Sequence, residues 1–135
     1  MRNVLPLTLC ALMLLAFTSQ ANAKQVFEGT KWKVVLSPDE DSRRAGAKDF
    51  KDTLIFKGGK FISEACKAHG FQPADYEENT RPGMVGAFKA TATSAKEGKA
   101  EWHGNATVNQ LDGEMTWTKA DGSVIRYTFK GDKSD

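Results

Sequence analysis

Between Lys99 and Lys130 apolar and polar residues alternate with a period of two, and that regularity constrains the fold more than any other feature of the chain. Lys99 to Val108, Leu111 to Lys119 and Ser123 to Lys130 read as three consecutive strands, preceded by a fourth at Val85 to Ser94. A three-residue turn at Ala120-Asp121-Gly122 sets Lys119 opposite Ser123. Trp117 then meets Ile125, Met115 meets Tyr127 and Gly113 meets Phe129. A two-residue turn at Asn109-Gln110 sets Val108 against Leu111, Gly104 against Met115 and Trp102 against Trp117. One apolar face runs across all three strands. The other face carries Glu101, His103, Asn105, Thr107, Thr116, Thr118, Arg126 and Thr128, and is polar.

The first half of the chain continues the theme. Lys31 to Leu36 alternates, with Trp32, Val34 and Leu36 on one side. Ser37-Pro38-Asp39-Glu40 has the pattern of a capping box with proline at the first helical position, so a short helix or lid-like loop is expected over 38–47. Strand character resumes from Asp52 to Lys57. A Gly58-Gly59 turn of type I′ brings Phe56 opposite Phe61. Ser63 caps a brief helical turn running to His69, with Gly70 and Phe71 as its stop and hydrophobic contact. Phe71 to Asn79 fits either strand or loop, and Thr80 to Gly83 reads as a loop.

A meander with one wet and one apolar face must bury the apolar one, and no long amphipathic helix is present to cover it. Closure is the simplest solution, because it also removes exposed strand edges. The expected fold is all-β: a small antiparallel up-and-down barrel of seven to eight strands, with one or two short helical segments. A two-sheet sandwich is the alternative.

The amino terminus indicates where such a barrel works. Arg2 precedes an apolar run from Leu7 to Phe17, and Ala21-Asn22-Ala23 has the pattern of a cleavage site. The run is shorter than the roughly 20 apolar residues that span a bilayer. Residues 1–23 are therefore expected to be a cleaved signal peptide. Residues 24–135 then form a single domain without a transmembrane segment, secreted or periplasmic. Cys10 would leave with the leader, so Cys66 has no intramolecular partner and is expected to be buried and inert. The chain carries 19 Lys and Arg against 17 Asp and Glu, interspersed. That pattern argues against nucleic-acid binding, which wants a clustered basic stripe.

The early Gly29-Thr30-Lys31-Trp32 strand and the meander ending at Ser123 to Lys130 make the chain similar to a lipocalin-type, or calycin, barrel. The resemblance implies a small secreted β-barrel whose interior takes an apolar ligand. Independently of it, an eight-stranded barrel is just wide enough to be filled by side chains or to hold one small molecule. Phe88, Trp102, Met115, Trp117 and Tyr127 are the candidate ligand-binding residues, with Ala90, Ala92, Gly104, Ala106 and Gly113 leaving room between them. Tyr127 is the interior polar handle. Cys66 and His69 share one face of a helical turn, but His103 points outward, and two ligands do not make a structural zinc site. No nucleophile elbow, HExxH or phosphate-binding glycine loop occurs, so neither catalysis, metal nor cofactor is expected. Two readings follow: a carrier or sensor of a small apolar ligand, with 38–50 as a mobile lid, or a filled barrel that binds a protein partner through loops 38–50 and 72–84.

Overall fold

The computed structural model describes residues 26–80 and 82–135. The expected leader, residues 1–23, lies outside them. Eight antiparallel strands form one closed barrel in which each strand pairs with the next and the last pairs with the first. They are β1 (Lys31–Pro38), β2 (Phe50–Lys57), β3 (Lys60–Ser63), β4 (Ala74–Asn79), β5 (Gly86–Ser94), β6 (Gly98–Ala106), β7 (Gln110–Thr118) and β8 (Val124–Ser134). Two short helices interrupt the meander: α1 (Glu40–Arg44) after β1, and α2 (Glu64–Lys67) after β3. The all-β, up-and-down architecture is the expected one, and the closed strand order excludes the sandwich.

Several registers are those that parity demands. Phe56 faces Phe61 across a turn whose two glycines take φ of 62° and 78°, the left-handed pair a type I′ hairpin needs. In the last hairpin Trp117 faces Ile125, Met115 faces Tyr127 and Gly113 faces Phe129.

The β6–β7 register departs from expectation. Ala106 faces Leu111, Gly104 faces Gly113, Trp102 faces Met115 and Ala100 faces Trp117. The turn falls one residue earlier, at Val108-Asn109, closed by the Thr107 N–H donating to the Gln110 carbonyl at 2.9 Å. Moving a turn by one residue shifts every pairing by two, so faces are preserved while partners change. The gain is steric. Two glycines now oppose each other, and the Phe88 and Phe129 rings lie within about 3 Å of where their side chains would begin.

Three boundaries also differ. Pro38 ends β1, pairing with Tyr127, and Asp39 rather than Ser37 caps α1 by accepting from the Ser42 N–H at 2.8 Å. Within the expected 72–84 loop, residues 74–79 are the strand β4, whose Tyr76 and Glu78 face Ala90 and Phe88. Finally, β8 runs to Ser134 because β1 lies beside it as far as Lys31. The polar Lys130–Ser134 stretch carries no alternation of its own, and only that neighbour makes it a strand.

The barrel's two ends are unlike. One carries residues 26–30, the 58–59 and 107–109 turns and residues 82–85. There Phe27, Phe56, Phe61 and Phe88 are essentially fully buried, with ring centroids 4.8 to 5.3 Å apart. Trp102 extends this plug, at 5.1 Å from Phe61 and 5.5 Å from Phe129. Two glutamates fasten the end shut. Glu78 accepts from the N–H groups of Val26 and Phe27 at 2.6 and 3.3 Å. Glu28 accepts from the Gly58 and Gly59 N–H groups and from the Tyr76 hydroxyl at 2.5, 3.0 and 2.8 Å. The other end carries both helices and the 95–97 and 119–123 turns, and is open.

Candidate functional site

At the open end a cavity of about 590 Å³ remains. Its walls are Phe50 of β2, Ala100 of β6, Met115 and Trp117 of β7 and Tyr127 of β8, closed from above by Ala65, Cys66, Ala68, His69 and Phe71. Lys51 and Glu97 complete the lining. Three of the five expected site residues, Met115, Trp117 and Tyr127, therefore surround one space. Phe88 and Trp102 do not; both belong to the aromatic plug below it. The corrected register explains the separation, since Trp102 stands beside Met115 rather than Trp117.

The roof is α2, and its placement rests on one buried carboxylate. Asp52 points inward from β2, in line with Leu54 and Phe56. It accepts from the Ser63 hydroxyl, from the Ala65 N–H at 2.9 Å and from the Thr53 N–H at 2.7 Å. Ser63 in turn accepts from the Cys66 N–H at 3.1 Å, capping the helix. Gly70 then turns the chain back, with the Phe71 N–H donating to the Cys66 carbonyl and the Gln72 N–H to Thr93 of β5. Burial pushes the Asp52 carboxyl above its ordinary value, against the pull of those three donors.

The other short helix, in the segment expected to be a lid, does not line the cavity. The Asp39 N–H donates to the Arg126 carbonyl at 2.9 Å, and the Arg126 N–H donates to the buried Ser42 hydroxyl at 2.8 Å. α1 is thus laced to β8, and of residues 38–50 only Phe50 reaches the cavity.

Within the cavity, aromatic rings dominate. Phe50 meets Tyr127 edge-on at 5.3 Å. The Trp117 N–H donates to the Glu97 carbonyl at 2.7 Å, and the Lys119 ammonium lies 4.9 Å from its ring centre. Those two contacts hold the indole at the rim. Tyr127 is buried to 7 % exposure, and its hydroxyl has no hydrogen-bond partner among the described residues. Burial, then the neighbouring Cys66, raises its pKa. Cys66 is likewise buried, and loss of solvent pushes its thiol up to about 11. A shift in this direction favours the protonated thiol at neutral pH.

Phe50, Cys66 and Phe71 were not among the expected ligand-binding residues. Phe50 carried a readable signal, for it continues the parity of Leu54 and Phe56 two residues before the expected start of β2. Phe71 and the alanines of α2 carried none, because their position depends on how the helix folds over the mouth. Among the described residues no three His, Cys, Asp or Glu side chains form a group that could hold a metal ion, and no helix is long and apolar enough to cross a membrane. His103 lies on the outer wall, half-exposed beside Glu114 at 3.5 Å. No protein-family model matches the chain, and neither the curated proteins nor the solved structures contain a significant match to it.

Proposed function

We propose that this protein is an exported, lipocalin-like binding protein that carries or senses a small apolar molecule in the cavity beneath α2. The observation that carries the reading is the asymmetry of the interior: one end is plugged by phenylalanines, while the other keeps about 590 Å³ walled by Phe50, Phe71, Trp117 and Tyr127. That volume falls within the roughly 300–1,000 Å³ of small-molecule sites, and its lining is mostly apolar, as such sites are. The hydrophobic gain on filling it supplies affinity, and the rim groups Lys51, His69 and Glu97 stand at its edge.

The test is a titration with the neutral fluorophore N-phenyl-1-naphthylamine. Saturable binding of one probe per chain, with a change in tryptophan emission, is expected. Trp117→Ala is expected to weaken it about tenfold, the loss of one aromatic contact surface. A folded protein that takes up no probe would overturn the reading.

A second reading is favoured by Met84, Val85 and Val108, which are exposed by 39 %, 41 % and 68 % at the plugged end. As a protein-binding module, the barrel would offer this edge of the 72–84 region to a partner. Lys substitutions at these three positions would then release a co-purifying protein without affecting probe uptake.

A further inference from the structure

Resting on the carrier reading, the chemistry of the cavity narrows what it carries. We propose that the site selects a flat, neutral aromatic molecule bearing one hydrogen-bond acceptor, such as an aryl ketone, with the acceptor oxygen met by the Tyr127 hydroxyl.

The shape half of the argument is the wall. Four aromatic side chains from four segments line one space: Phe50, Phe71, Trp117 and Tyr127. Trp117 is fixed through its N–H to Glu97 and has Lys119 against its ring, so its donor is already used and it offers ring surface only. Ala65, Ala68 and Ala100 keep the rest of the lining shallow. Planar rings pack on planar rings in offset or edge-on contacts, and rigid walls of this kind discriminate against bulky branched ligands.

The polar half is Tyr127. A phenol buried to 7 % exposure normally finds a partner, and this one has none among the described residues although it lines a cavity. An acceptor atom brought by the ligand satisfies it, and a hydrocarbon leaves it unsatisfied. Charge decides the rest. Among the described residues no cationic group acts on the hydroxyl; its titratable neighbour is the Cys66 thiol, and loss of solvent disfavours the anionic forms of both groups. A carboxylate placed there would be desolvated without a counter-charge, whereas a carbonyl would not. Lys51 and His69 lie among the residues that line the same space, alongside Glu97, so the lining offers both signs rather than an anion clamp.

The experiment compares 2-acetylnaphthalene, 2-ethylnaphthalene and 2-naphthoate on the wild-type protein and on Tyr127→Phe, by displacement of N-phenyl-1-naphthylamine at pH 8. Comparing each ligand across the two proteins cancels its intrinsic hydrophobicity. Tyr127→Phe is expected to weaken the ketone about five- to tenfold, as loss of one neutral hydrogen bond does, while the hydrocarbon changes by less than about twofold. Naphthoate is expected to bind the wild type at least about tenfold more weakly than the ketone. Equal effects of the substitution on ketone and hydrocarbon would overturn the proposal and leave the carrier reading intact. Tighter binding of naphthoate than of the ketone would overturn it in favour of an anionic ligand held by Lys51 and His69. If neither the fluorophore nor any naphthalene binds, the carrier reading itself fails and this inference with it.

Discussion

Gly104 and Gly113 face each other across β6 and β7, and their lack of side chains is what lets Phe88 and Phe129 fill the barrel beneath the cavity. A Cβ at Gly113 would strike the His103 carbonyl oxygen and come within 2.6 Å of the Gly104 Cα and 2.7 Å of the Phe129 ring. Two of those neighbours are backbone and cannot turn away. Gly113→Ala is therefore expected to destabilise the protein by about 3 kcal/mol through overpacking, read by urea unfolding. A loss below about 0.5 kcal/mol would mean that the two strands are not packed as described. At the same scale, Trp102 and Trp32 make an instructive contrast. The Trp32 indole N–H donates to the Thr30 hydroxyl at 2.8 Å, while that of Trp102 is buried without a partner among the described residues. Parity placed Trp102 inward correctly but said nothing of which end it would reach. It was expected to line the interior beside Trp117; the two-residue shift sets it beside Met115 instead, within the aromatic plug.

At the scale of elements, the strands were legible and the helices' purposes were not. Alternation marks a strand wherever one face is wet, so β1, β2, β5, β6 and β7 were visible from their side chains. β4 was hidden in an ambiguous stretch, and the end of β8 in a polar tail, because their pairing comes from neighbours far away in sequence. Both helices were visible through capping residues, but which of them covers the cavity was not. α1 is bonded to the backbone of β8, and α2 roofs the cavity through Asp52. Asp52 also sets a pH dependence. Its pKa is raised in the folded protein from an ordinary 3.8, so folding favours its protonated form. The stability this contributes is complete below the unfolded value and is lost as pH rises through the folded one. Asp52→Asn does not titrate. The stability of the wild type relative to this variant is thus expected to fall as pH rises above about 4 in urea unfolding. A difference that rises over that range would show that hydrogen bonding to the carboxylate outweighs its burial.

Across the whole molecule, the barrel divides its interior between an end that stabilises and an end that is free to bind. Phe27 is fully buried among Phe56, Phe88 and Trp32 at the plugged end, far along the strands from Tyr127. Phe27→Leu is expected to cost about 1.5 kcal/mol of stability while leaving naphthylamine affinity within about twofold. Loss of binding in a folded variant would show instead that plug and cavity act as one unit. The closed strand order carries a different consequence, for the order in which the chain assembles. Seven of the eight pairings join consecutive strands through turns of modest length, but Lys31 meets Ser134 across nearly the whole described chain. That seam bears the largest loop-closure cost, so it is the pairing to form last. Until it does, β1 and β8 both present open edges. Joining the start of β1 directly to the end of β8, which lie side by side, and cutting the 119–123 turn would convert the slowest contact into a hairpin and move the vulnerable edges to the strands that wall the cavity.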